Sequence, residues 1–306
     1  MGGVLVGFGI ITFVILVGYF VERFGIAGLG AGTVLNRMAF FVATPALLFT
    51  VLSRADVGLL FSAFLVTVLT TVALSVVLYL VVARFLFRVS VPETVLGVAS
   101  ATYVNANNIG LPVAIYVLGS ASYVAPVLLL QLLVLAPIVL AILDVSTSGQ
   151  VSFRSILTQP LRNPMIIASM AGIAVAIFEI DLPAPVLAPL ELIGGAAIPM
   201  VLMSFGMSLY GQRLLRRGTG RKQVIVATVI KVVLMPAIAY VLGRFVFGLG
   251  STELFAVVAV SALPTAQNIF NFSARYDRAM TVTRDTVLLT TLASIPALLV
   301  IAALLA

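Results

Sequence analysis

Apolar residues fill this chain in blocks of roughly twenty, each closed by a short polar or Gly/Pro-rich joint. A helix of about that length crosses the hydrocarbon core of a bilayer, and in lipid a helix satisfies its own backbone polar groups. Apolar runs weighed against turn and charge signals predict spans near 4–22, 31–53, 57–87, 92–118, 122–145, 162–181, 184–211, 223–248, 252–276 and 282–305. The expected fold class is therefore an all-α polytopic membrane protein with ten transmembrane helices. The first run, Val4 to Val21, has neither a basic leader nor a small-residue cleavage site, and reads as a retained helix rather than a signal peptide.

Composition agrees with that pattern. Of 306 residues, 62% are hydrophobic and 9% charged, and the mean hydropathy is +1.26. Polar surface cannot cover such a core, so lipid must, and no length is left for a sizeable soluble domain. Cys and His are absent. That removes disulfides, thiol nucleophiles, imidazole bases and the usual zinc or copper ligands, so no metal and no cofactor is expected.

The pI of about 10.1 does not signal nucleic acid, because the basic residues sit in the joints. With ten spans, one face collects Arg23, Arg37, Arg84, Arg88, Arg154, Arg162, Arg213, Arg216, Arg217, Arg221, Lys222, Arg275, Arg278 and Arg284, and the other only Arg54 and Arg244. The excess marks the cytoplasmic face, which puts both termini outside in a multi-pass cell-membrane protein. The Arg213–Lys222 run reads first as a topology determinant, with anionic membrane lipid or a partner as the other reading.

The chain also repeats itself. One shift carries Arg84-Phe85-Leu86-Phe87 onto Arg244-Phe245-Val246-Phe247, Glu93 onto Glu253, Ala106 onto Ala266 and Asn108-Ile109 onto Asn268-Ile269. Small changes of offset pair Pro45 with Pro199 and Pro137 with Pro296. The domains expected are a first five-helix repeat over 1–145, a cytoplasmic linker over 146–161 and a second repeat over 162–306. An odd number of spans per repeat inverts the second half, an architecture common among secondary transporters.

Polar residues inside spans are few and fall at matching places. Span 4 holds Asn105-Ala106-Asn107-Asn108-Ile109-Gly110-Leu111-Pro112, and span 9 holds Pro264-Thr265-Ala266-Gln267-Asn268-Ile269. Asn, Gly and Pro are poor in helix interiors, so both helices are expected to break, with the freed backbone lining a shared cavity. The N-terminal end of each second half-helix would carry partial positive charge suited to a carboxylate. The other reading makes these amides interhelical glue and the prolines simple kinks. Lys231, well inside span 8, either attracts an anionic substrate or changes charge during the cycle, or else snorkels to the cytoplasmic face. Gln131 in span 5 is a weaker polar candidate that could equally bond a neighbouring helix.

These residues resemble the auxin efflux carrier family, which includes the plant PIN proteins and many prokaryotic carriers. The likeness covers nearly the full length. It is most specific at Ala262-Leu263-Pro264 with Ala274-Arg275-Tyr276, Gly110-Leu111-Pro112 after Asn105, Gln131 before Leu132-Leu133-Val134-Leu135, and Lys231 before Leu234-Met235-Pro236. The resemblance implies a homodimeric organic-anion carrier of bile-acid-symporter/NhaA-like architecture, in which spans 4 and 9 cross at broken points. It also implies a scaffold of spans 1, 2, 6 and 7 beside a mobile core of spans 3–5 and 8–10. Carried over by position, Asn105 and Pro264 are crossover residues near the substrate. Two departures stand out. Val104 occupies the place of the first crossing proline, which leaves that break to a looser crossing or to Gly110 and Pro112, and Leu65 and Leu69 occupy that of an acidic and basic pair in span 3.

The expected activity is alternating-access transport of a small organic anion, auxin-like or a mono- or dicarboxylate. Asn105, Asn107, Asn108, Gln131, Lys231, Thr265, Gln267 and Asn268 are the candidate substrate contacts, and Val104, Gly110, Pro112 and Pro264 the helix-break positions. An anion channel and a sensor that binds without transporting are the alternatives. Enzyme chemistry is not expected, since Glu93, Asp144, Glu179, Asp181, Glu191 and Glu253 lie near span ends. Of the possible couplings, proton or sodium, one to a proton gradient then has no clear intramembrane carrier unless Lys231 serves, and uniport is equally open.

Overall fold

A computed structural model describes residues 2–54, 62–148, 163–211 and 220–305. The start of predicted span 3, most of the 146–161 linker with Arg154, and Arg162, Arg213, Arg216 and Arg217 lie outside these residues. We number the helices α1 Gly2–Arg23, α2 Ala31–Leu52, α3 Ala63–Leu86, α4 Val91–Thr102, α5 106–116, α6 Ala121–Thr147, α7 Pro164–Ile177, α8 Ala184–Leu209, α9 Arg221–Val246, α10 Ser251–Ser261, α11 Gln267–Tyr276 and α12 Met280–Leu305.

Seven of these, α1, α2, α3, α6, α8, α9 and α12, are long and apolar enough to cross a membrane. Predicted spans 4 and 9 are each two short helices, α4 with α5 and α10 with α11, and predicted span 6 is the 14-residue α7. Large apolar side chains stand exposed along the helices, such as Phe13, Val77, Leu192 and Val300. Lipid is the solvent that such a surface needs. Buried hydroxyls are absorbed locally instead: Thr67, Ser75, Thr286 and Thr291 each donate to the carbonyl one turn back.

Proline shapes the long helices. Wide π turns at Ala39–Ala43, Gln131–Leu135 and Ile230–Leu234 come just before Pro45, Pro137 and Pro236. Proline has no N–H for the carbonyl four residues back and its ring presses on that carbonyl, so the helix widens by a residue and continues. Ala106–Gly110 before Pro112 follows the same rule in α5.

Two groups of helices pack within themselves. α1 lies along α8, and α2 packs on both α7 and α8; α3, α4, α9, α10, α11 and α12 form a second cluster, with α6 against α4. The α1–α8 seam is backbone on backbone. A Cβ on Gly18 would collide with the Met203 carbonyl and one on Gly206 with the Ile15 carbonyl. Small residues permit that approach where lipid offers no hydrophobic drive between helices.

Candidate functional site

The interruptions between α4 and α5 and between α10 and α11 meet. Val104 and Thr265 form an antiparallel bridge. The Asn105 N–H donates to the Pro264 carbonyl at 2.7 Å, and the Ala266 N–H to the Tyr103 carbonyl at 3.1 Å. These are the two hydrogen bonds that flank an antiparallel bridge. Extended backbone in mid-membrane would otherwise leave polar groups without partners; here each interruption satisfies the other.

The neighbouring spans complete that accounting. Gln131 Nε2 donates to the Val104 carbonyl at 2.9 Å, and Tyr103 donates its hydroxyl to the Gln131 carbonyl. The Thr265 N–H donates to Thr290 Oγ1 at 3.0 Å, and Thr265 Oγ1 donates to the Ser100 carbonyl at 2.6 Å, near the end of α4. Lys231 Nζ donates to the Ser261 carbonyl at 2.9 Å, at the last residue of α10. Lys231 is fully buried, and its Nζ stands at the carbonyl end of that half-helix.

Beside the crossing lies a cavity of about 50 Å³ lined by Asn105, Asn107, Asn108, Gln131, Gln267 and Asn268 among others. Two larger cavities adjoin it, sharing Asn36 and Asn271 with it. One, of about 560 Å³, also touches Glu22, Ser208 and Arg284; the other, of about 330 Å³, touches Arg37 and Asn163. Both lead toward the face that sequence marks by its Arg and Lys excess.

The two resumed helices differ at their starts. Asn105 caps α5, its Oδ1 accepting from the Asn108 N–H at 3.1 Å, while its Nδ2 is buried without a partner. Ala266 precedes α11 with no side-chain cap. The first-turn N–H groups at Gln267 and Asn268 thus carry the partial positive charge of an uncapped N-terminus. A chain of amides crosses the site: Asn107 Nδ2 donates to Asn108 Oδ1 at 2.9 Å, Asn108 Nδ2 to Gln267 Oε1 at 3.3 Å, and Gln267 Nε2 to Ser208 Oγ at 3.1 Å.

Of the candidate contacts, Asn105, Asn107, Asn108, Gln131, Gln267 and Asn268 line one cavity. Thr265 and Lys231 do not; both are fully buried and tie helix ends together. Of the break positions, Val104 and Pro264 stand in the interruptions, whereas Gly110 and Pro112 lie in the resumed α5, where the π turn accommodates Pro112. Sequence reasoning missed Asn36, Ser208, Asn271 and Arg284. Asn271 had a signal, one helical turn beyond Asn268; Asn36 sits beside Arg37 and was masked by that charge. It also missed Asp285, which is 2% exposed within α12 and accepts from Arg284 Nε and Nη2 at 2.9 and 2.8 Å.

Apolar helices wrapped around a buried polar crossing define a multi-pass membrane protein with a place for a small solute. The chain belongs to the membrane transport protein family, whose model matches residues 8–302. It is 27% identical over 268 residues to a Rhizobium meliloti (strain 1021) protein provisionally named as a malonate transporter, covering 85% of this chain and 83% of that one. It is 24% identical over 290 residues to an uncharacterized transporter of Methanocaldococcus jannaschii, covering 92% of each. The protein is accordingly a membrane transporter and not an enzyme, and the resemblance to the auxin efflux carriers holds over nearly its whole length.

Proposed function

We propose that this transporter carries a small organic anion, a mono- or dicarboxylate, by alternating access at the crossing of spans 4 and 9. The observation that carries the reading is that Gln267 and Asn268, at an uncapped α11 N-terminus, line the same cavity as Asn105, whose buried Nδ2 has no partner. Both are donors held in place before any ligand arrives, and a carboxylate oxygen is the acceptor that such an arrangement suits. The malonate named for the Rhizobium relative belongs to that chemical class.

In this reading ten spans form two inverted repeats, with α1, α2, α7 and α8 as scaffold and the crossed helices in a moving core. The meeting of the two interruptions at Val104 and Thr265, at corresponding places of the sequence repeat, supports an exchange of conformations between the halves. Cavities leading to the basic face correspond to the inward-facing state, with both termini outside. The homodimer implied by the family resemblance is part of the same proposal.

The test is transport by purified protein in proteoliposomes, with carboxylates supplied with and without sodium and at two pH values. Asn268→Ala is expected to lower uptake at least about tenfold while the protein stays monodisperse. Trans-acceleration by unlabelled substrate is expected of a carrier, and its absence would indicate a channel. Unchanged transport by Asn268→Ala would remove that residue from the site.

A further inference from the structure

Away from the crossing, a cavity of about 570 Å³ opens where α3 ends and α4, α9 and α12 begin. It shares no lining residue with the crossing cavity or with the two that adjoin it. All four helices belong to the second packing cluster, so its walls come from that cluster alone.

Arg88, Arg221 and Lys222 bring three positive charges to this cavity, and Glu93 brings one negative charge. The Glu93 carboxylate is engaged at the start of α4, where its Oε2 accepts from the Ser90 N–H and hydroxyl at 2.9 Å each. Arg88 stands in the joint between α3 and α4, whereas Arg221 and Lys222 open α9. Gly220 lets them converge. Its φ is 104°, and a Cβ there would collide with Val282 Cγ2, so glycine allows the start of α9 to close on that of α12.

The rim is apolar. Leu86 and Met280 line the cavity and are exposed, as are Phe85 and Val91 beside them. On α9, Ile225 and Val229 follow Arg221 at intervals of four residues, which puts all three on one helix face, and both apolar side chains are exposed. A cationic cavity whose lip continues into a hydrocarbon-facing surface suits a molecule with a charged head and an apolar tail. A free inorganic anion uses only the first feature.

We propose that this cavity binds an anionic phospholipid, its phosphate held among Arg88, Arg221 and Lys222 and its acyl chains laid along the exposed apolar face of α9. Guanidinium forks and an ammonium match the several acceptor oxygens of a phosphate. Three positive charges against one negative leave a surplus of two, which favours a headgroup of net negative charge over a zwitterion. The volume lies within the roughly 300–1,000 Å³ of small-molecule sites, more than a bare phosphate fills. Bound there, the lipid ties together the starts of three helices of one cluster and makes no contact with the crossing.

Native mass spectrometry of the purified protein, titrated with phosphatidylglycerol or phosphatidylcholine, gives a Kd for each lipid. Phosphatidylglycerol is expected to bind at least about fivefold more tightly. Arg88→Gln with Lys222→Gln is expected to weaken phosphatidylglycerol about twenty-fivefold, about fivefold for each charge removed, and to leave phosphatidylcholine within about twofold. Arg23→Gln with Arg275→Gln takes the same charge from exposed positions outside the cavity and is expected to keep the phosphatidylglycerol Kd within about twofold. Equal Kd values for the two lipids in the unsubstituted protein overturn the proposal even if Arg88→Gln with Lys222→Gln does not fold. Equal losses in the two double variants overturn it too, because they mean general attraction to a basic surface. Glycerol phosphate, which has the phosphate without the chains, is expected not to displace the lipid at millimolar concentration; displacement assigns the cavity to a soluble phosphate and overturns the lipid assignment.

Discussion

Lys231 Nζ lies 2.9 Å from the Ser261 carbonyl, at the point where α10 ends. The bond joins α9 to the end of α10, and Met235 Sδ is the other neighbour of Nζ. This geometry favours a positioning role over direct contact with the anion.

Lys231→Met is therefore expected to separate transport from binding. Removing the cap frees a buried helix-end carbonyl, at a cost of about 1–3 kcal/mol, so the crossing loosens and transport falls at least about tenfold. The carboxylate Kd is expected to stay within about threefold, because the donors at Asn105 and α11 are untouched. Ligand binding and proteoliposome uptake measured on the same preparation check this; a Kd that rises in step with the lost uptake would place the ammonium on the substrate.

Gln131→Leu is expected to act through stability first. The variant removes one of two donors to the Val104 carbonyl, the other being the Ala106 N–H at 2.8 Å, so a loss of about 1 kcal/mol is expected, that of one ordinary hydrogen bond. A lower thermal midpoint in detergent is the measurement. An unchanged midpoint would mean that the Ala106 N–H alone satisfies the Val104 carbonyl.

Arg284 and Asp285 call for a paired experiment. Arg284 lines the larger outer cavity while its guanidinium holds the buried Asp285 carboxylate. Arg284→Gln alone leaves that carboxylate unpaired, a loss of about 3–5 kcal/mol for a fully buried pair and less here because the Arg284 side chain is 31% exposed. Arg284→Gln with Asp285→Asn restores neutrality and is expected to recover the thermal midpoint. The double variant should still show a KM for anions raised severalfold and less dependent on salt, since a cation on the entry route is gone. Recovery of both stability and KM would confine Arg284 to a structural role.

How far the site could be read from sequence varies residue by residue. Asn105, Asn107, Asn108, Gln267 and Asn268 were legible because amides are costly in hydrocarbon, and matched clusters of them in two spans need a common explanation. Ser208 was not: one hydroxyl in a span usually bonds its own helix and carries no signal. Asp285 was missed because its sequence neighbour Arg284 makes the segment look like a joint; packing of α12 buries it.

Periodicity, length and composition by themselves determined that this is a chain of membrane helices, and the paired amide clusters located where two of them give way. These are local properties, set by the cost of backbone and side-chain polarity in lipid. Only the tertiary structure decided that Val104 faces Thr265, that Gln267 reaches Ser208, and that Lys231 caps Ser261 instead of lining the cavity. Hydrogen bonds between residues far apart in sequence depend on helix rotation and depth to within about an ångström, and side-chain identity alone does not encode either.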